Sequence, residues 1–119
     1  MKTQPASQAP VILALRREFC DTLRQQISLI EQQRIIGHVS HSKDVKKWYR
    51  TRKAGGGFNV SLYFREVPVL HNKLQRTFVQ GSLADVGAYA RNLIHDALGG
   101  TLDSGLVQAW LRQQQLQQP

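Results

Sequence analysis

Residues 46–65 read KKWYRTRKAGGGFNVSLYFR, and the fold turns on them. In the second half of this stretch Phe58, Val60, Leu62 and Phe64 alternate with Asn59, Ser61, Tyr63 and Arg65. Extended chain with that pattern has one apolar and one polar face. In the first half, from Lys46 to Lys53, aromatics and threonine favour a strand among charges. Between the two, Ala54-Gly55-Gly56-Gly57 is a turn with wide backbone freedom. The pair predicts an antiparallel hairpin with a wide loop rather than a tight two-residue turn. Pro68 ends the second strand or puts it at a sheet edge. After a polar loop around His71-Asn72-Lys73, Gln75 to Gln80 (QRTFVQ) predicts a third, shorter strand.

Helical periods flank this region on both sides. Ile12, Leu15, Phe19, Leu23, Ile27 and Ile30 recur at steps of three and four, which keeps them on one face of a helix over Pro10 to Ile36. Pro10 suits the first turn and Gly37 the stop. Such a helix is about 39 Å long, more than a small domain needs. Either it lies across the sheet, or one end projects and pairs with a second copy to make a homodimer. Ser82-Leu83-Ala84-Asp85 has capping-box form and opens a second helix whose stripe is Leu83, Val86, Ala90, Leu93, Ile94 and Ala97. Gly99-Gly100 closes it, and a last helix from Asp103 to Gln113 presents Leu106 and Trp110, with Leu102 just before it. The expectation is an α+β fold in the order α-β-β-β-α-α: a three-stranded antiparallel sheet with a long N-terminal helix and two C-terminal helices. Residues 1–9 are expected to be a disordered lead-in, 10–113 a single domain and 114–119 a disordered tail.

The chain has 119 residues, 41% of them apolar, enough for one domain with its own core. Its longest apolar run near the N-terminus, Val11 to Leu15, is too short for a membrane span and is followed by Arg16-Arg17 rather than a cleavage site. With a single cysteine, Cys20, no internal disulfide forms. These features lead to the expectation of a cytoplasmic protein that does not enter membranes.

Charge is the informative quantity. The formal net charge is +8, and its distribution is uneven. Between Lys43 and Arg76 lie nine basic residues opposed by Asp44 and Glu66 alone, whereas the rest of the chain is close to neutral. Concentrated positive potential attracts polyanions, nucleic acid foremost. Basic side chains neutralise phosphates, aromatic planes stack on bases, and a two-stranded ribbon has the width of a major groove. The expected nucleic-acid-binding residues are therefore Lys46, Lys47, Trp48, Arg50, Arg52, Lys53, Tyr63, Arg65 and Arg76. Arg50 and Arg52 are assigned to direct contact, and Lys46, Lys47 and Lys53 to clamping phosphates. Strand alternation puts Trp48, Arg50 and Arg52 on one face and Tyr49 on the other; one of the two aromatics is expected in the core, with Tyr49 favoured over Trp48 for that place.

Other chemistry finds little support. The loop lacks the order of a phosphate cradle and precedes no helix. His38 and His41 are three apart, while His71, His95 and Cys20 stand alone, too thin a set for zinc. The acidic residues form no spaced group for a divalent metal or for acid–base work. Neither catalysis, cofactor nor small-molecule substrate is expected. In layout, the strands and helix from Tyr49 to Leu98 resemble sheet-type DNA readers, integrase arm-binding domains among them; no residue role is carried over. The leading helix makes the order similar to double-stranded-RNA-binding domains, but their basic last-helix start is here the acidic Ser82–Asp85. The expectation is a small basic protein that binds nucleic acid, DNA before RNA. The alternative is an adaptor docking through its long helix, with its basic face against an acidic protein.

Overall fold

The apolar stripe of the first helix is used inside the molecule. In the computed structural model, which describes residues 9–37, 46–52 and 56–117, helix α1 runs Ala9–Ile36 and buries Ile12, Leu15, Phe19, Leu23 and Ile30. Its main neighbour is α2 (Leu83–Leu98), which contributes Val86, Ala90, Leu93 and Ala97 to the same core. Asp85 Oδ2 accepts the Ser82 amide at 2.8 Å, one arm of the expected capping box. Helix α3 (Asp103–Gln117) buries Leu106 and Ala109, with Leu102 just ahead of it. It ends four residues later than the sequence predicts, because glutamine is a fair helix former and no breaker intervenes before Pro119.

The strands lie between α1 and α2 in sequence: β1 Tyr49–Thr51, β2 Phe58–Val60, β3 Leu62–Phe64, β4 Val67–Val69 and β5 Thr77–Val79. The architecture is α+β with antiparallel sheets, as expected, and the predicted hairpin and third strand form one three-stranded sheet in the order β1-β2-β5. Its register pairs Tyr49 with Val60 and Val60 with Thr77, and on the opposite face Arg50 with Asn59 and Asn59 with Phe78.

Two expectations are corrected. The run from Phe58 to Arg65 is not one strand. It breaks at Ser61, and β3 leaves to pair with β4 as a separate two-stranded sheet. The cause is a tight two-residue turn in which Arg65 and Glu66 have φ of 47° and 73°, so the chain folds back on β3. That pair of positive φ values fits a type I′ hairpin turn, built here without glycine or asparagine. Pro68 does not end a strand but lies within β4 opposite Tyr63, on an edge strand where its missing N–H is tolerated. Trp48 is also misplaced by the alternation. It is buried, 7% exposed, stacked on Phe19 of α1 with ring centroids 5.8 Å apart. Trp48 precedes β1 at a bend, so it can turn inward beside a Tyr49 that is also buried. The N-terminal lead-in before Ala9, His38, His41, Lys43, Lys53 and the last two residues lie outside the described residues.

Candidate nucleic-acid interface

A buried amide sets the position of the basic segment. Gln26 sits within the apolar stripe of α1 and is 3% exposed. Its Nε2 donates to the Lys46 carbonyl at 2.7 Å, and its Oε1 accepts the Trp48 amide at 2.9 Å. One side chain thus holds the backbone on both sides of Lys47. Trp48 packs between Phe19 and Tyr63, and the Tyr49 hydroxyl donates to Gln33 Oε1 at 3.0 Å. Burial pushes the Tyr49 phenol above its ordinary pKa. Beyond this anchor the ladder continues, with the Ser61 amide donating to the Trp48 carbonyl at 2.8 Å.

With the aromatics turned inward, the charged side chains are left on the open face. An open concavity of about 370 Å³ is lined by Lys46, Lys47, Arg50 and Arg76, with Asn59, Ser61, Gln75 and Tyr63 among its polar walls. The structure therefore brings together residues 30 apart in sequence, because β2 carries β1 on one edge and β5 on the other. Lys46 Nζ lies 4.6 Å from the Tyr63 ring centroid, and Lys47 Nζ lies 5.4 Å from that of Tyr49. Arg52 stands apart from the concavity, its guanidinium 4.5 Å from the centroid of Phe78 on β5.

The ion pairs explain which cations remain available. Among the described residues, every carboxylate in an ion pair belongs to a helix: Asp21, Glu31 and Glu18 on α1, and Asp103 on α3. They engage Arg24, Arg34, Arg91, Arg16 and Arg65. Lys46, Lys47, Arg50, Arg52 and Arg76 have no carboxylate at ion-pair distance among the described residues.

Arg65, like Arg52, lies outside that concavity, and it is the expected site residue whose charge is paired. It donates twice to Glu18, at 2.8 and 2.9 Å, and that hydrogen bonding raises its pKa. It lines a second concavity of about 230 Å³, which shares Lys46, Trp48 and Tyr63 with the first and adds Glu18 and Glu66. Sequence reasoning also missed three residues. Gln26 could have been found as a polar residue at a buried helical position, three after Leu23 and four before Ile30. Asn59 and Phe78 form a cross-strand row with Arg50 that only the register reveals.

Among the described residues there is no group of three or more His, Cys, Asp or Glu side chains that could hold a metal ion. Cys20 is buried, and desolvation raises its thiol pKa, which disfavours the nucleophilic thiolate. No described helix is long and apolar enough to cross a membrane. Comparison with protein-family models, curated proteins and solved structures finds no match to this chain.

Proposed function

We propose that this chain is a nucleic-acid-binding protein that holds phosphates on the open face of its β1-β2-β5 sheet. The carrying observation is the convergence of Lys46, Lys47, Arg50 and Arg76 on one concavity with no carboxylate set against them among the described residues. A polyanion is the partner that such a surface discriminates for, since each phosphate neutralised releases condensed counterions. Lys46, Lys47, Arg50 and Arg76 take the phosphate contacts, and Asn59 and Gln75 offer amides to sugar or base. DNA stands before RNA because the helices back the sheet and leave a broad basic face. The role is binding rather than catalysis.

Fluorescence anisotropy with labelled single-stranded DNA, duplex DNA and structured RNA tests this reading. The intact protein binds at least one of them at about 0.15 M salt. Arg50→Ala with Arg76→Ala weakens that binding and lowers the slope of log affinity against log salt by about 2. An unchanged slope in the folded double variant refutes the assignment.

A second reading is the adaptor. Its support is the end of α1, where Ile35 and Ile36 are 76% and 57% exposed. Such residues suit a partner helix or a second copy of the chain. Failure of the intact protein to bind any nucleic acid would leave this reading in place.

A further inference from the structure

Phe78 is out of place on a charged face. It is 45% exposed, on the opposite side of β5 from the helix-backed face, in the row Arg50–Asn59–Phe78. No second large apolar side chain on that row would explain it as part of a core. The ring is also not upright. A Cβ built on Gly57 would meet its Cε2 at 2.5 Å and its Cζ at 2.8 Å, so the far edge of the ring leans over the backbone at Gly57, just ahead of β2. Gly57 has φ of 77° and leaves the space that lets the ring lie flat. A ring held this way offers a face. It does not project as a wedge that could enter a base step of a duplex. The guanidinium of Arg52 lies at 4.5 Å from its centroid and has no carboxylate partner among the described residues.

We infer that this face binds single-stranded nucleic acid, with one unpaired base stacked on Phe78 and its backbone carried across β2 to Arg50. The inference rests on the phosphate-binding reading above and adds the kind of strand. A duplex shows a protein the edges of its bases, whereas a flat aromatic platform needs an exposed base face. Two strand spacings, about 10 Å, separate Phe78 on β5 from Arg50 on β1, so a nucleotide stacked on the ring has its phosphates within reach of the concavity. Arg52 covers the ring in the free protein. On binding it continues the stack above the base or swings to a phosphate, and either exchange keeps its charge in use.

The experiment compares Phe78→Leu, Phe78→Trp and Arg52→Ala with the parent protein on a labelled oligothymidine and on a duplex of equal length. Leucine still shields the Gly57 backbone and so separates stacking from sheet stability. The expected result is a parent preference for the single strand, roughly ten-fold weaker single-strand binding in Phe78→Leu, and affinity in Phe78→Trp equal to or tighter than the parent. The salt slope stays unchanged in Phe78→Leu and falls by about 1 in Arg52→Ala. Quenching of the introduced tryptophan by the oligonucleotide reports the stack directly. Equal loss on duplex and single strand, no effect of Phe78→Leu, or a parent preference for duplex overturns the inference while leaving phosphate binding intact. Absence of binding to either probe overturns both.

Discussion

At the scale of single residues, Gln26 matters more to the site than any surface ion pair. Its amide is buried and meets two backbone groups that β1 does not otherwise satisfy, the Lys46 carbonyl and the Trp48 amide. Removing it leaves both without that partner, and the Trp48 amide in a buried position, which costs about 1–3 kcal/mol. The exposed Arg65–Glu18 pair, although doubly hydrogen-bonded, is worth at most about 1 kcal/mol. Gln26→Ala is therefore expected to lower stability by about 2 kcal/mol in urea titration, and Glu18→Ala by less than half as much. Because Lys46 and Lys47 ride on the clamped segment, Gln26→Ala also weakens nucleic-acid binding without removing a charge. A Gln26→Ala midpoint equal to the parent's would show that the segment is held by the Trp48–Phe19 stack alone.

At the scale of elements, the β3–β4 hairpin carries a correctable strain. Glu66 has φ of 73° in the turn, a left-handed conformation that costs a residue with a Cβ about 1 kcal/mol relative to glycine. Glu66→Gly should raise the unfolding free energy by about 0.5–1 kcal/mol, while Val67→Gly next to it should lower it, since Val67 is buried. A destabilised Glu66→Gly would mean that its carboxylate supports the turn more than its backbone strains it. The same hairpin marks the limit of what could be seen beforehand. The helices were legible because their information is local: spacing along α1 and α2, Ser82 at one start and Gly99-Gly100 at one stop. The β1–β2 hairpin was legible from its alternation and glycines. The break at Ser61 was not, because the alternation passes through it unchanged and Arg-Glu is no turn signal. Trp48 was misassigned for a related reason: Phe19, which draws it inward, lies 29 positions earlier. Composition located the basic cluster, but only the fold could remove Arg65 through Glu18 and add Phe78 through the sheet register.

At the scale of the whole molecule, charge is sorted by layer. Arg16, Arg24, Arg34, Arg65 and Arg91 are paired with helix carboxylates, and the sheet face keeps Lys46, Lys47, Arg50 and Arg76 side by side around one concavity. Added salt acts on the two layers in opposite directions. It weakens exposed pairs that contribute about 0–1 kcal/mol each, and it relieves repulsion among clustered cations on a chain of net charge +8. Like charges within a Debye length of about 10 Å at 0.1 M salt repel throughout the cluster, whereas each ion pair is local. Repulsion therefore outweighs the pairs. The melting temperature is expected to rise by a few degrees as sodium chloride increases from about 0.02 to 0.5 M, and further with sulfate. Arg50→Ala with Arg76→Ala should flatten that rise and stabilise the free protein in low salt, the same substitutions that weaken nucleic-acid binding. Calorimetry of both proteins across the salt series checks it. A melting temperature that falls with salt, or a slope indifferent to the double substitution, would show that the cations do not act on one another, and the concavity would lose its claim to be a focused phosphate site.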